Sequence, residues 1–120
     1  SLEAPIFRTD LTTAEMIKYA ANLFLASKIS FFNEMHIICK ELGLNSKLVS
    51  DVVSLDPRIG DYGIYGGRPF EGGCLPKDLE AFIGFVESKK INPKLLQAIR
   101  SINEKIAEMA SKEECGQYAR

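Results

Sequence analysis

The chain has 120 residues, 46% of them hydrophobic and 26% charged, which is typical of one globular domain and argues against a disordered segment. The formal net charge is -1 with basic and acidic residues interspersed, so no basic stripe favours nucleic acid as a partner. Polar residues interrupt the apolar segment 19–38, and no charged stretch precedes a short apolar run at the start. We therefore expect neither a membrane span nor a signal peptide.

Cysteine usage indicates the compartment. Cys39, Cys74 and Cys115 are odd in number, lie far apart and form no CxxC pair, which argues against a disulfide framework or a thiolate metal site. We expect a reducing compartment and a cytoplasmic protein. Since His36 is the only imidazole and no carboxylate cluster stands out, we expect no metal site.

The first predicted element is a long helix. Thr12 or Thr13 can cap it, Glu15 suits its first turn, and no Pro or Gly interrupts residues 14–42 before Gly43, which suits a C-terminal cap. This predicts about 29 residues, or roughly 43 Å. Its middle, "YAANLFLASKISFF", is apolar on nearly every side, so we expect something besides this chain's own short helices to cover part of it.

A short second helix and a long loop follow. Asn45 or Ser46 can cap the helix, which ends at "DPRIG" because Asp56 before Pro57 is disfavoured in helical geometry. Residues 56–73 contain most of the glycines of the chain and two of its prolines, which predicts irregular backbone. Loops of this length in compact domains are usually functional or disordered.

Two further helices are predicted. Pro76 suits the first turn of a third helix over about 77–89, and Asn92 with Pro93 reads as the N-cap and first position of a fourth. The chain after Ser111 is predicted to fray. No segment alternates for long enough to predict a strand, so we expect an all-α fold with a long central helix and shorter helices. The segment "GGRPFEGG" follows a loop and lacks the GxGxxG order, so we expect no dinucleotide site in this chain.

Cys74 lies in a setting that favours a thiolate. It comes just ahead of a predicted helix start, where the positive end of the dipole and Lys77 stabilise negative charge, and Gly72 and Gly73 allow a ligand to approach the backbone. Asp78, one helical turn further, could orient water or accept a proton. The alternative is a buried small hydrophobe beside an ordinary loop.

Polar side chains on the long helix and in the loop are the other candidates. Lys18 and Asn22 are four residues apart, so they could together bind an oxyanion or a sugar hydroxyl, unless Lys18 pairs with Glu15 and Asn22 faces solvent. Arg58 could bind phosphate or carboxylate with its planar fork, or be solvated. Four further polar residues of the helix are interpreted as helix-surface residues rather than as functional ones: Lys28, Asn33, Glu34 and His36.

Four blocks, correctly ordered and spaced, carry a family resemblance: "AEMIKYAANLFLASKISFFNE" (14–34), "DPRIG" (56–60), "PFEGGCLPKDLEAF" (69–82) and "LLQAIRSINEK" (95–105). They resemble the long helix, the substrate loop, the G-F-G-G-x-C-x-P-K-D motif and the following helix of the UDP-glucose and GDP-mannose dehydrogenases. The resemblance is to the central helical domain of these nucleotide-sugar 6-dehydrogenases. It implies a dimerisation domain like the C-terminal helical domain of 6-phosphogluconate dehydrogenase.

The resemblance implies a chemistry. The family oxidises a sugar C6 alcohol to the carboxylate in two hydride transfers to NAD, with UDP-glucose to UDP-glucuronate the expected reaction. Cys74 would be the nucleophile, Lys18 and Asn22 would stabilise the oxyanion, and Asp78 would assist water and proton transfer.

The resemblance also implies binding residues and partners. Phe70, Gly72 and Gly73 would contact the nucleotide sugar, Lys77 the cofactor, and Arg58 the substrate of the neighbouring subunit in a homodimer formed by the long helix. Residues 1–120 would be one central domain of a longer enzyme. The family's N-terminal Rossmann and C-terminal nucleotide-sugar domains are absent from them, so the isolated chain is expected to be inactive.

Two residues depart from the family motif. Pro69 and Glu71 replace the first and third residues of G-F-G-G, and Glu71 puts a carboxylate three residues before Cys74, which disfavours the thiolate. This departure favours an alternative function, a structural helical dimerisation module without a catalytic role. A thiol redox sensor is less favoured, because no second cysteine lies near Cys74 in the sequence.

Overall fold

The computed structural model describes residues 11–71 and 74–118. Four helices follow one another: α1 (Thr13–Leu42), α2 (Ser46–Val53), α3 (Cys74–Ser88) and α4 (Lys94–Tyr118). The described residues outside these helices form turns and loops. The predicted all-α class is therefore confirmed for the part of the chain that the structure describes, and none of its helices has the length and apolar character needed to cross a bilayer.

Local hydrogen bonds set both ends of α1. The Thr12 hydroxyl accepts from the Glu15 N–H at 3.2 Å, and the Glu15 carboxylate accepts from the Thr12 N–H at 3.3 Å, which is a capping box. At the other end Gly43 has φ of 71°, and the N–H of Leu44 donates to the carbonyl of Cys39 at 2.7 Å. Both predicted caps of the long helix are confirmed, because they depend on residues close together in sequence.

The short helix α2 begins as predicted. The Asn45 side chain accepts from the N–H of Leu48 at 3.1 Å, so Asn45 is its N-cap. The helix ends at Val53, three residues before Asp56, where the irregular loop was expected to start.

The helix α3 begins earlier than predicted. Its first residue is Cys74 rather than a residue near Lys77, so Cys74 belongs to the helix instead of preceding it. Pro76 is compatible with this start, because N–H groups in the first turn have no acceptor within the helix. The helix ends at Ser88, and the turn after it places the non-glycine residue Lys90 at φ of 64°.

Both ends of α4 differ from the prediction. The helix starts at Lys94, one residue after Pro93, and it continues to Tyr118 instead of fraying after Ser111. The apolar pattern fades there, but Ala, Lys and Glu have good helix propensity, and Lys112 pairs with Glu108 one turn away at 3.3 Å. Propensity thus extends the helix beyond the segment that packing alone would predict.

The fold divides into two compact units, each assembled from separate chain segments. In the described residues, the first unit comprises 11–27 and 70–100. The ring of Tyr19 packs against Phe82 with centroids 5.0 Å apart. The buried apolar residues of the first unit are Tyr19, Leu23, Ala26, Phe70, Leu79, Ile83, Phe85, Val86 and Ile99. Full burial of a large apolar side chain stabilises a fold by about 1.5–3 kcal/mol, so these residues dominate the stability of the unit.

The second unit comprises residues 28–69 and 101–118 in the described part of the chain. Its buried residues are Ser30, Phe32, Asn33, Cys39, Ser50, Ile64 and Ile106. Three of these seven side chains are polar, and two of the three, Asn33 and Ser50, bond to the loop after α2. The unit therefore supports a loop as well as a hydrophobic cluster.

Candidate active site

Two of the predicted catalytic residues lie in hydrogen-bond contact in the first unit. The Asn22 amide, on α1, donates to the Asp78 carboxylate, on α3, at 2.7 Å. These residues are 56 positions apart in sequence. The alternative that Asn22 merely faces solvent is wrong.

Asp78 is a buried carboxyl group. Only 1% of its surface is exposed, so its oxygens need partners within the protein, and the Asn22 amide supplies one of them. Tyr19, the residue between Lys18 and Ala20 on α1, is completely buried nearby. Burial raises the pKa of the Tyr19 phenol above 10.0, and the negative charges of Asp78 and Glu15 raise it further. The hydroxyl is therefore neutral at physiological pH and provides no base.

Lys18 lies one helical turn before Asn22 on α1, and its side chain is exposed. Residues four apart share a helix face, so α1 presents an ammonium and a carboxamide together, as the sequence predicts. Lys77 is exposed in the first turn of α3, next to Asp78 in sequence. Both positions are accessible to a charged ligand, and the roles of the two lysines remain predictions.

The cysteine motif, predicted to be catalytic, is described in part. Cys74 is the first residue of α3 and Asp78 follows one turn later on that helix. Phe70 is buried and Glu71 is exposed. Gly72 and Gly73, predicted to contact substrate, lie outside the described residues.

Arg58 belongs to the second unit, where Asp56 holds its guanidinium. Arg58 Nη2 donates to Asp56 Oδ2 at 2.7 Å, and Arg58 Nε donates to the same carboxylate at 3.1 Å. These bonds hold the pKa of Asp56 below its ordinary value of 3.8 and raise that of Arg58. Arg58 is nevertheless open to solvent, with 88% of its side chain exposed.

The loop that carries Arg58 is bound by side chains that we interpreted as ordinary surface residues. Asn33 is completely buried: its Oδ1 accepts from the N–H of Gly67 at 2.8 Å, and its Nδ2 donates to the carbonyl of Arg68 at 2.9 Å. The Lys28 ammonium donates to the carbonyl of Ile59. The surface interpretation was wrong for these two residues, because a polar pattern on a helix does not reveal a loop lying on it.

Close approach of the loop to α1 requires glycine at position 66. A Cβ atom there would lie 2.5 Å from the carbonyl oxygen of Phe32 and from the Cβ of His36. Such contacts are far inside van der Waals distance, so any side chain would push the loop away from the helix. The glycine-rich composition noted in the sequence thus has a packing cause at this position.

No metal centre forms within the described residues, where no group of three or more His, Cys, Asp or Glu side chains could hold an ion.

Comparison with known sequences and structures identifies the family. The sequence model of the UDP-glucose/GDP-mannose dehydrogenase family, central domain, matches residues 12–105. UDP-glucose 6-dehydrogenase TuaD of Bacillus subtilis (strain 168) is 46% identical over 102 residues, which are 85% of this chain and 22% of that protein. UDP-glucose 6-dehydrogenase AglM of Haloferax volcanii is 43% identical over 100 residues, which are 83% of this chain and 23% of that protein.

A solved structure is similar as well. The UDP-glucose dehydrogenase from the hyperthermophilic archaeon Pyrobaculum islandicum superimposes with a TM-score of 0.73 at 44% identity, covering 77% of this chain and 21% of that one. This chain therefore spans between a fifth and a quarter of the length of these relatives. Since the family model covers residues 12–105 and several relatives exceed 40% identity, the chain belongs to the UDP-glucose/GDP-mannose dehydrogenase family and matches its central domain.

Proposed function

We propose that this chain is the central domain of a longer NAD-dependent nucleotide-sugar 6-dehydrogenase, which oxidises the C6 alcohol of UDP-glucose to the carboxylate. The observation that carries the proposal is the 2.7 Å bond between Asn22 and Asp78. It joins the long-helix block and the cysteine block, the two sequence blocks to which the chemistry is assigned. The names of the similar proteins support UDP-glucose as the substrate.

The proposed reaction proceeds through Cys74. The alcohol loses a hydride and a proton to become the aldehyde, and the Cys74 sulfur adds to the aldehyde carbon to form a thiohemiacetal. Loss of a second hydride from carbon, together with the hydroxyl proton, converts this adduct into a thioester. Water then adds to the thioester carbonyl, and the C–S bond breaks to release the carboxylate and restore the thiol.

The contact between Asn22 and Asp78 suits both of its proposed roles. An amide has two N–H donors, and Asp78 engages one of them, so in the proposal the other donates to the substrate oxyanion. Lys18, one turn away, adds a positive charge on the same helix face. Asp78 accepts the amide through Oδ2, and in the proposal its carboxylate takes a proton from the hydrolytic water.

NAD would accept one hydride in each oxidation step. Dinucleotide sites form at a glycine-rich turn between a strand and a helix, and the described residues contain helices and loops without strands. In the proposal a domain outside this chain therefore binds NAD, and Lys77 is a single contact from this one. The residues of this chain would hold the substrate and its Cys74 adduct while each hydride leaves.

The test is NADH production by the full-length enzyme with a panel of UDP and GDP sugars. We expect two NADH per molecule of UDP-glucose and less turnover of UDP-N-acetyl sugars and GDP-mannose. One NADH per sugar would contradict the four-electron oxidation. If none of these sugars gives NADH, the result would instead support the alternative, a structural module without a catalytic role. The position of the exposed Glu71 in the cysteine motif favours that alternative.

We also propose that the chain forms a homodimer through α1. Large apolar side chains recur along this helix at a spacing of seven, and all of them are exposed: Ile17, Phe24, Phe31 and Ile38. The residues two positions after the first three of these, Tyr19, Ala26 and Asn33, are completely buried. Two residues correspond to about 200° around a helix, so the buried line and the exposed line lie on opposite faces. A second copy of α1 would cover the exposed line, since exposed apolar patches of this kind mark interfaces.

Phe24→Glu is expected to break this dimer, because it would bury a carboxylate in an apolar interface. Sedimentation velocity should show at least about a hundredfold weaker self-association, corresponding to a loss of about 2.7 kcal/mol. The matched control is Leu95→Glu, since Leu95 is 65% exposed and Phe24 66%, and it should leave the dimer intact. Equal weakening by both variants, or a monomeric unsubstituted chain, would contradict dimerisation through this face.

A further inference from the structure

Arg58 binds Asp56 through one edge of its guanidinium. The Nε–H and one N–H of Nη2 both point at the Asp56 carboxylate, at 3.1 Å and 2.7 Å. A guanidinium has five N–H donors, so three remain, and two of these form the outer edge between Nη1 and Nη2. The exposed side chain leaves this outer edge open to a ligand.

Asp56 also shapes the backbone that carries Arg58. Its Oδ1 accepts from the N–H of Arg58 at 2.9 Å, and its carbonyl accepts from the N–H of Ile59 at 2.9 Å and of Gly60 at 3.0 Å. Lys28, from α1, bonds to the carbonyl of Ile59. The turn is therefore held by hydrogen bonds at Asp56 and at Ile59. Asp56 restrains both the backbone and the side chain of Arg58.

We propose that Asp56 is a positioning residue, which holds the Arg58 guanidinium with its outer edge presented to the nucleotide sugar. This proposal rests on the proposed function and on the role that the family resemblance implies for Arg58, contact with the substrate of the neighbouring subunit. An unrestrained arginine loses rotamer freedom when it binds, and a side chain already held by Asp56 loses less. The pKa of Asp56 is lowered by Arg58, so the carboxylate stays ionised through neutral pH and the pair is intact under assay conditions.

The test compares Asp56→Asn, Arg58→Ala and the double variant in the full-length enzyme. Asn keeps an oxygen that accepts from the Arg58 N–H, so the turn is retained while the charged contact with the guanidinium is lost. We expect Asp56→Asn to raise the KM for UDP-glucose about tenfold and to leave kcat within about twofold. In the Arg58→Ala background it should raise KM no further, because the group it positions is gone.

The matched control is Glu108→Gln, which removes an exposed ion pair with Lys112 from the same unit and should leave KM unchanged. If Arg58→Ala raises KM and Asp56→Asn does not, the positioning role is wrong while the proposed function stands. If Asp56→Asn raises KM equally in both backgrounds, its effect is structural and the positioning role is also wrong. If Arg58→Ala itself leaves KM unchanged, the substrate-binding role of Arg58 fails, and the inference about Asp56 fails with it.

Discussion

Replacement of Cys74 by Ser in the full-length enzyme should reduce formation of the sugar acid at least about a thousandfold, the loss typical when a covalent nucleophile is removed. A serine hydroxyl is a far weaker nucleophile than a thiolate near neutral pH, so the aldehyde would not be captured. Binding of UDP-glucose should change less than about threefold, because the variant keeps the side-chain size. The measurements are acid formation by chromatography, NADH release and calorimetric substrate binding.

Another cysteine, Cys39, provides the control for this result. Cys39 is buried on α1 in the second unit and has no proposed role in the reaction. Cys39→Ala should therefore retain acid formation, with at most a modest loss of stability from the smaller side chain. Normal production of acid by Cys74→Ser would refute the assignment of the nucleophile. If both variants lost activity, the loss would be attributed to disruption of the fold and not to removal of the nucleophile.

Asn33→Ala should lower the free energy of unfolding of this chain by about 2–4 kcal/mol, a large share of the stability of a small domain. Alanine removes both bonds to the loop, leaving the Gly67 N–H and the Arg68 carbonyl without the partners that they have here. The loop cannot easily shift to replace them, since Gly66 already lies against the backbone of α1. Urea unfolding followed by circular dichroism at 222 nm is the measurement.

The matched substitution is Asn45→Ala. Asn45 makes one side-chain bond, to the N–H of Leu48 at the exposed start of α2, and loss of such a cap costs about 1 kcal/mol. We expect Asn33→Ala to lower the free energy of unfolding by at least about twice as much as Asn45→Ala, because burial prevents water from replacing the bonds of Asn33. If Asn33→Ala destabilises the chain no more than Asn45→Ala, the loop does not depend on Asn33.

Residues close together in sequence determined the features of this fold that the sequence predicts well. The capping box of Thr12 and Glu15, the N-cap Asn45 and the C-terminal Gly43 each use bonds that span a few residues. The helix boundaries follow from such local chemistry, although the start of α3 and the end of α4 differ. The pair of Asp56 and Arg58 is equally local, and an acidic residue two positions before an arginine was a signal that could have found it.

Contacts between distant residues were decided by tertiary structure alone. Asn22 and Asp78 are 56 residues apart, and Asn33 and Arg68 are 35 apart, so spacing on one helix could not show that either pair meets. Sequence periodicity indicates which residues share a helix face, but it does not indicate what packs against that face. The sequence thus identified Asn22 and Asp78 as separate candidates. Buried polar groups must find hydrogen-bond partners within the protein, because water is excluded from them. Which groups are partners was decided by the packing of α3 and of a glycine-rich loop against α1.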